Sequence, residues 1–223
     1  MEIQVIQTGI LGVNTLIVPV EQGKCFVVDP AACKLSGDET KIVDFIKSKN
    51  LDCVGIVLTH THFDHITGIK QVKQSFPNAL IYVHKSEEAE LINPPGPMNR
   101  AVLGSFGMSD LSDVVSEQPH CDVTVKDGDI IFEWKVIHTP GHTPGSICLY
   151  KSDFVCDAES KRAESVLISG DTLFDYGGYG RTDMLGGDDI KMRQSLAKLY
   201  KIIPSGTLVY PGHDSFGFRM AAM

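Results

Sequence analysis

The chain lacks the features that mark membrane proteins and secreted proteins. No apolar run approaches the length of about 20 residues that a membrane-spanning helix needs. The N-terminus has neither a basic start nor a sustained apolar stretch, so we expect no signal peptide. Six cysteines are present, but none shows C-x-x-C spacing. Because no secretion signal is found either, we expect the protein to reside in the reducing cytoplasm.

Blocks of basic residues are also lacking. Lys and Arg number 20 against 28 Asp and Glu, which gives a formal net charge of −8. Nucleic-acid binding normally requires a basic face that neutralises phosphates. We therefore expect no nucleic-acid partner and no membrane partner, and a small molecule as the substrate. A site for divalent cations would use some of the excess carboxylates.

Short apolar runs alternate with turn residues and helical patterns along the 223 residues. Residues 54–59 form a continuous apolar run, which is typical of a strand covered on both faces. Residues 188–203 have helical spacing, with Ile190, Leu196 and Leu199 expected on the buried side, and the run Leu208–Tyr210 is expected to form the last strand. The order of elements predicts an α/β fold with two β-rich halves and helices outside them. No linker interrupts the pattern, so we expect a single domain over residues 1–223.

Two segments depart from this pattern. Residues 92–120 are rich in proline and glycine, and they predict a long irregular connection. Such a connection would be either a lid or binding loop, or a disordered surface insertion. Residues 152–164 are polar and charged, and they predict a solvated excursion of a hairpin.

Three histidines and an aspartate follow directly on the apolar run 54–59. His60, His62, Asp64 and His65 lie within six residues, at the carboxyl end of a strand, where α/β proteins commonly place their sites. Neutral imidazole suits borderline metals such as zinc, and a carboxylate adds charge compensation. Burying these groups without a metal would be costly. The run therefore predicts a metal site, and the alternative is an exposed polar loop.

Further metal ligands are expected behind other strands, because four residues cannot fill two coordination shells. His142 and His213 each stand in a Pro-Gly-His sequence after a strand, and Asp171 stands in Ser-Gly-Asp-Thr. Glycine beside each of them allows a close approach of the backbone. Taken singly, each residue could be an ordinary turn residue. Together with the first motif, they favour a site for two metals.

The order His-x-His-x-Asp-His, Gly-His, Gly-Asp-Thr and Pro-Gly-His resembles the metallo-β-lactamase superfamily over nearly the whole chain. The resemblance implies the metallo-β-lactamase fold, a four-layer αββα sandwich with the metals at one edge. Metal one would be held by His60, His62 and His142, and metal two by Asp64, His65 and His213, with Asp171 bridging both. Asp29 matches an early aspartate of the family and would orient a site histidine by hydrogen bonding. Its alternative role is that of a turn former.

Within the superfamily, residues 168–174 and 177–183 resemble the small glyoxalase II-like, or hydroxyacylglutathione hydrolase-like, branch. This resemblance implies a dinuclear-metal hydrolase that cleaves a thioester, such as a glutathione or other thiol ester, or another ester-like bond. Two divalent ions are implied; zinc is expected, and iron and manganese are compatible. Asp64 would orient the metal-bound hydroxide. Because β-lactamases of the best-known class carry a cysteine where Asp171 stands, antibiotic hydrolysis is not expected.

The sequence departs from authentic glyoxalase II enzymes in two respects. It ends at Met223, ten residues after His213, whereas those enzymes carry a C-terminal helical region that helps to bind glutathione. It also has Arg181-Thr182-Asp183 where they have a lysine and an aromatic residue. We expect Arg181 and Asp183 to form a buried pair that supports the site.

Two alternative functions remain open on the sequence. The Gly-Arg-Thr-Asp segment also resembles persulfide dioxygenases, in which His60, His142 and Asp171 would hold a single Fe(II) ion. The other alternative is a non-catalytic metal-binding domain. The oligomeric state cannot be inferred from the sequence.

Overall fold

The computed structural model describes residues 2–21, 23–155 and 163–222. The chain divides into two compact units, which we call the N-terminal unit (residues 3–124) and the C-terminal unit (residues 125–223 with the first two residues). Six strands form one mixed sheet and six strands form another. The two β-rich halves that the sequence predicts are therefore confirmed, and the single domain over 1–223 stays a prediction.

The first sheet follows the chain order, β1-β2-β3-β4-β5-β6. Its strands are β1 Gln4–Thr8, β2 Val13–Pro19, β3 Lys24–Val28, β4 Asp52–Val57, β5 Leu80–His84 and β6 Val123–Val125. β1, β2 and β3 pair antiparallel, whereas β3, β4 and β5 pair parallel to one another. The carboxyl ends of β3, β4 and β5 consequently lie along one edge of the sheet, where α/β folds place polar sites.

Six helices belong to the N-terminal unit. They are α1 Lys41–Ser48, α2 Phe63–Ile66, α3 Ile69–Ser75, α4 Glu88–Ile92, α5 Pro97–Phe106 and α6 Ser109–Ser116, with a 3-10 turn at Lys34–Ser36. Helical spacing explains their burial: α1 buries Ile42, Val43 and Ile46, and α3 buries Ile69 and Val72.

The prediction of an irregular connection over residues 92–120 is wrong, because α5 and α6 lie within it. Pro97 occupies the first turn of α5, where its missing N–H is not needed. Gly107 ends α5 with a left-handed φ of 65°. Proline and glycine thus mark helix ends here, while Met98, Val102 and Leu103 bury one face of α5. The interpretation as a disordered insertion is wrong, and a role of this segment as a lid or binding segment stays a prediction.

The second sheet has the order β12-β11-β10-β9-β8-β7. Its strands are β7 Ile130–Ile131, β8 Trp134–His138, β9 Ile147–Val155, β10 Ala163–Gly170, β11 Leu208–Pro211 and β12 Phe218–Arg219. β10 and β11 are parallel, and the other neighbours are antiparallel. The sequence prediction that Leu208–Tyr210 is the last strand is wrong, because β12 follows it. The hairpin predicted at 152–164 is formed by β9 and β10 at its ends, and residues 156–162 lie outside the described residues.

Helix α7, Asp189–Ile202, packs on a core formed by the second sheet. Its N-cap is Asp188, whose side chain accepts a hydrogen bond from the Lys191 N–H. The buried positions are Met192, Ser195 and Leu199. Ile190 is 69% exposed, so its predicted burial is wrong, because it lies in the first turn and off the stripe that begins at Met192.

No helix among the described residues is long and apolar enough to cross a membrane. The five described cysteines are free thiols: Cys25, Cys33, Cys53, Cys121 and Cys148. Cys156 lies outside the described residues.

Candidate metal site

The first histidine motif lies just beyond the carboxyl end of β4. Leu58 and Thr59 leave the strand, His60 and Thr61 follow without regular structure, and α2 begins after His62, which is its N-cap. Because the strand is apolar and buried, the segment that continues it enters the interior instead of turning out to solvent. His60, His62 and His65 are each at most 3% exposed, and Asp64 is 8% exposed. The alternative of an exposed polar loop is wrong.

The structure brings the four polar side chains of this motif together. The ring centroids of His60 and His62 are 4.9 Å apart, and those of His60 and His65 are 4.1 Å apart. Nε2 of His65 lies 3.6 Å from Oδ2 of Asp64. Three imidazoles and a carboxylate therefore lie close together in the segment between β4 and α2 and in α2 itself.

Asp29, directly after β3, supports two of these histidines. Its Oδ2 lies 3.0 Å from Nδ1 of His65 and accepts a hydrogen bond of 2.6 Å from the Thr59 hydroxyl. Its Oδ1 accepts the Thr59 N–H at 2.7 Å. The Thr59 hydroxyl oxygen in turn lies 3.1 Å from Nδ1 of His60. With Nδ1 of both histidines engaged in this way, Nε2 is left as the ligand atom. The predicted contact of Asp29 with a site histidine is present, and its orienting role stays a prediction.

Asp29, His60 and His65 also form a group whose potential ligand atoms lie within 4.8 Å of one another. Asp29 nevertheless is a supporting residue in this arrangement, because both of its oxygens already accept hydrogen bonds. Its backbone adopts a left-handed φ of 49°, which Asp tolerates better than most residues. The Thr15 hydroxyl, which donates to the Asp29 carbonyl at 2.7 Å, helps to hold this conformation.

In the C-terminal unit, three further predicted ligands lie behind strands. His142 lies between β8 and β9, Asp171 directly follows β10, and His213 follows β11. β10 and β11 are parallel, and the Gly212 N–H donates to the Gly170 carbonyl at 2.9 Å, which holds their ends together. Oδ2 of Asp171 lies 3.5 Å from Nε2 of His142 and 3.7 Å from Nε2 of His213. The structure thus brings these three residues together around one carboxylate oxygen.

A glycine determines how His142 is oriented. Nδ1 of His142 lies 2.7 Å from the carbonyl oxygen of Arg181, which can only accept, so Nδ1 is the donor and Nε2 points to Asp171. Gly180 precedes this carbonyl, and its N–H donates to the Asp171 carbonyl at 2.8 Å. A Cβ at position 180 would lie 2.7 Å from His142 Nδ1 and 2.6 Å from the Asp171 carbonyl oxygen. The backbone can therefore approach both ligands only because residue 180 is glycine.

Helix α7 supports the turn that carries His142. The Asp188 N–H donates to the Gly141 carbonyl at 2.8 Å, and the Ser195 hydroxyl donates to the Pro140 carbonyl at 2.7 Å. Gly141 has a φ of 149°, and a Cβ there would lie 2.4 Å from Cα of Met192. The turn and the helix are consequently in direct backbone contact.

The ion pair of Arg181 and Asp183 is present but exposed. Nε of Arg181 lies 2.7 Å from Oδ1 of Asp183, and the two side chains are 50% and 68% exposed. The hydrogen bond from the guanidinium lowers the pKa of Asp183 to about 2. The prediction that Arg181 and Asp183 form a buried pair is wrong. Both side chains point into solvent, and only the carbonyl group of Arg181 faces His142.

The donor atoms fit divalent metal ions. The contacts of 3.5–3.7 Å between histidine Nε2 and carboxylate oxygen are longer than ordinary hydrogen bonds. They are close to the separation of roughly 3.4 Å expected for two ligand atoms that each lie about 2.1 Å from one tetrahedral ion. Imidazole nitrogen and carboxylate oxygen together suit zinc and iron. The residues present therefore fit the metal site that the sequence predicts.

His138 and Tyr176 lie outside this group of side chains. Nε2 of His138 lies 3.0 Å from the Pro144 carbonyl, and Tyr176 is fully exposed. Thr59, Glu87 and Asn99 contact the first motif but are not among the residues predicted for the site. Glu87 could have been suspected, because it follows β5, the parallel neighbour of β4. Asn99 could not, because its segment was predicted to be irregular.

Histidines and carboxylates held behind the strands of two mixed sheets define a metal-binding α/β protein. A family model described as the metallo-β-lactamase superfamily matches residues 8–213, and the chain belongs to this superfamily. Its fold is the metallo-β-lactamase fold, as the sequence predicts. Members of the superfamily are metal-dependent hydrolases that act on small molecules.

Similar proteins agree with this assignment. An uncharacterized protein of Aquifex aeolicus (strain VF5) is 33% identical over 220 residues, covering 96% of this chain and 90% of its own length. YqgX of Bacillus subtilis (strain 168), a probable metallo-hydrolase, is 32% identical over 197 residues, covering 87% and 82%.

Solved structures are similar as well. The crystal structure of BLEG-1, a B3 metallo-β-lactamase, has a TM-score of 0.76 at 27% identity, covering 97% of this chain and 93% of that one. TTHA1623, solved in a di-iron-bound form, has a TM-score of 0.72 at 25% identity, covering 95% and 92%. ETHE1 from Myxococcus xanthus shares the fold at 21% identity, with a TM-score of 0.68 and coverage of 98% and 78%.

Proposed function

We propose that the protein is a dinuclear-metal hydrolase of the glyoxalase II-like type that cleaves a thioester or another ester-like bond. One observation carries the proposal: Oδ2 of Asp171 lies within 3.7 Å of Nε2 of both His142 and His213, which come from different strand ends. A carboxylate oxygen between two imidazoles suits a ligand shared by two ions. The proposed ligands are those that the family's motif order implies: His60, His62 and His142 for one ion, Asp64, His65 and His213 for the other, and Asp171 for both.

Two bound divalent ions would supply a water nucleophile at neutral pH and would polarise a carbonyl oxygen. The residues of the chain would prepare that chemistry. Asp29 and the Arg181 carbonyl engage Nδ1 of His65 and His142, so that Nε2 of each carries a lone pair. Asp64, which is 8% exposed, would accept a hydrogen bond from the nucleophilic water and thereby orient its oxygen toward the substrate carbonyl.

The proposed ions are zinc, with iron as the alternative. Histidine and carboxylate ligands accept both metals, and the similar protein TTHA1623 was solved in a di-iron-bound form. Elemental analysis of protein purified from unsupplemented medium would identify the bound metal. We expect about two ions per chain. One iron per chain, with oxygen consumption in the presence of glutathione persulfide, would instead support the dioxygenase.

A substrate panel tests the reaction. It should contain a glutathione thioester, a thioester without glutathione, a carboxylic ester and a β-lactam, since BLEG-1 is a B3 metallo-β-lactamase. We expect thioester hydrolysis that a chelator abolishes and that the metal restores. Metal binding without turnover of any of these compounds would favour a non-catalytic metal-binding domain.

Substitution of the shared carboxylate links the site to the reaction. Asp171→Ala should lose both thioesterase activity and metal content. Asp183→Ala is the matched control, because it removes an exposed carboxylate from the same segment of the chain and should retain both. Full activity and full metal content in Asp171→Ala would contradict the proposal.

A further inference from the structure

We infer that Glu87 and Asn99 are positioning residues that hold Thr61 from two sides and thereby set the directions of His60 and His62. The inference rests on the proposed function only in taking these two histidines as metal ligands. It assigns a role to helix α5, in the segment predicted as irregular.

The polar groups of Thr61 are engaged by these two side chains. Oε2 of Glu87 accepts the Thr61 N–H at 3.1 Å and also accepts a short hydrogen bond from the Thr61 hydroxyl. Nδ2 of Asn99 donates to the Thr61 carbonyl at 2.7 Å. All three residues are at most 1% exposed, so water does not compete for these bonds.

Peptide planarity carries the constraint to the histidines on both sides. The N–H of Thr61 belongs to the peptide plane that begins at Cα of His60, and its carbonyl belongs to the plane that ends at Cα of His62. Because each plane is rigid, fixing the N–H and the carbonyl fixes both planes. Glu87 and Asn99 therefore hold the Cα atoms of His60 and His62, from which the two imidazoles leave the backbone, and so restrict the directions of these side chains.

Both positioning residues are themselves held by neighbouring elements. Glu87 lies in the turn after β5, where its N–H donates to the His84 carbonyl at 2.8 Å. Asn99 lies in the first turn of α5, and Nδ2 of its side chain also lies 3.3 Å from Oε2 of Glu90. The contact with Thr61 is thus built from two separate elements.

Glu90, in the middle of α4, fixes the start of α5. Its Oε1 accepts the Met98 N–H at 2.9 Å, and its Oε2 accepts the Asn99 N–H at 3.2 Å. These are N–H groups that a helix start leaves without intrahelical partners. Burial raises the pKa of Glu90, and the two backbone N–H groups oppose this rise. Glu90 thereby holds Asn99 in register with Thr61.

The burial of Glu87 indicates that this residue serves to position the histidines and not to stabilise the fold. A buried carboxyl group costs free energy that an apolar residue of similar size would not. Glu87 contacts the segment between two histidines, where small rotations would move both Nε2 atoms. Hydrogen-bonded residues behind metal-binding histidines commonly affect metal affinity in other proteins.

The test uses the whole protein loaded with Co²⁺ as a spectroscopic probe. Affinity is measured by competition with a chromophoric chelator, and ligand geometry by the visible absorption of the bound Co²⁺. We expect Asn99→Ala and Glu87→Gln to weaken Co²⁺ binding by about 10- to 100-fold and to change the absorption spectrum. Thr61→Val should have a smaller effect of the same kind, and Thr61→Ser, which keeps the hydroxyl, should restore wild-type values.

The control is Thr207→Val, which removes a buried hydroxyl that bonds to Ser165 and to the Pro204 carbonyl in the C-terminal unit. It should lower the melting temperature without changing the Co²⁺ spectrum. If the variants of Glu87 and Asn99 do not fold, the inference is tested by comparing the Co²⁺ affinity and spectrum of Thr61→Val with those of Thr61→Ser. Wild-type spectra and affinities in the variants would overturn the inference, as would an equal spectral change in Thr207→Val.

Failure of the inference and failure of the proposed function are distinguishable. If the wild-type protein binds Co²⁺ and the variants change its spectrum, but no thioester is hydrolysed, the positioning role stands and the proposed reaction fails. If thioester hydrolysis is observed and the variants leave the spectrum unchanged, only the positioning role fails. A wild-type protein that binds no metal would contradict both.

Discussion

The carboxylate of Asp29 lies 3.0 Å from Nδ1 of His65, although the two residues are 36 positions apart in the chain. The contact arises because β3 and β4 are parallel neighbours, so that the residues that follow them meet at one edge of the sheet. It orients the imidazole and favours the tautomer that leaves Nε2 for a metal.

Replacement of Asp29 by Asn should weaken metal binding. Asn tolerates the left-handed backbone at this position, but its amide places a donor where Asp29 now accepts from Thr59 and His65. We expect a loss of metal affinity of about 10- to 100-fold, measured by chelator competition. The control is Asp38→Asn. Asp38 accepts hydrogen bonds from the backbone N–H groups of Gly9 and Cys33, and these partners are not histidines. Equal affinities in the two variants would contradict the supporting role of Asp29.

Replacement of Gly180 by Ala should displace His142 or Asp171. The added Cβ would lie 2.6–2.7 Å from atoms of these two residues, which is closer than packing allows, and one of them must move. Metal content measured by elemental analysis should fall in Gly180→Ala. In Gly178→Ala, where the nearest contacts are 3.4 Å, it should remain at the wild-type value. A Gly180→Ala protein with wild-type metal content would show that the loop adapts.

Gly96, at the start of α5, and Gly104, inside it, should change stability in opposite directions when each is replaced by alanine. At Gly96 a Cβ would lie 2.5 Å from Cα of Glu90, and we expect Gly96→Ala to lower the free energy of unfolding by about 1–3 kcal/mol. Gly104 lies inside α5, and a Cβ added there would have no atom outside the helix backbone within 4 Å. Gly104→Ala should raise the free energy of unfolding by about 0.5–1 kcal/mol. Urea denaturation of both variants gives the comparison, and a stabilising effect at Gly96 would refute the close contact.

Cys148 should resist alkylation in the folded protein. Complete burial raises the pKa of its thiol to about 11, and the thiolate is the reactive form. After treatment of native protein with iodoacetamide at pH 8, peptide mass spectrometry should show Cys148 unmodified, whereas the partly exposed Cys121 should be modified first among the five described cysteines. Rapid modification of Cys148 under native conditions would show that its surroundings open.

The same raised pKa predicts how stability depends on alkaline pH. Below pH 9 the Cys148 thiol is neutral in both the folded and the unfolded chain, so it contributes no pH dependence. Between about pH 9 and 11 the unfolded chain loses this proton and the folded chain keeps it, so the free energy of unfolding falls as the pH rises. Urea denaturation at several pH values should show a shallower fall in Cys148→Ala than in the wild-type protein.

The sequence was sufficient to predict that the proposed ligands lie behind strands. His60, Asp171 and His213 each follow a run of apolar residues; His60 and Asp171 are buried, and His213 is partly exposed. Asp29 is indicated by a different signal, its match to an early aspartate of the family. Positions behind strands are predictable because the apolar run and the polar residue after it are adjacent in the chain, and the roles of these residues as ligands stay predictions.

Features that depend on distant contacts could not be predicted in this way. The helices α5 and α6 were missed because the segment is rich in proline and glycine, as irregular loops are. In this segment, however, Pro97 begins α5 and Gly107 ends it. The contact between Asn99 and Thr61 joins residues that are 38 positions apart, and no local pattern indicates it. The exposure of Arg181 and Asp183 depends on where the loop leaves the sheet, which their spacing does not specify.

The backbone contact between α7 and the turn at Gly141 couples the position of this helix to the position of His142. Asp188 and Ser195 bond to that turn, so a shift of the helix would carry His142 with it. The first turn of α7 faces solvent, with Ile190 69% exposed. A fluorescent dye attached there would lie outside the proposed reaction site, and it would be connected to His142 through the hydrogen bonds that Asp188 and Ser195 make to the turn. Occupancy of the metal site could then be followed as an optical signal, with no substrate required.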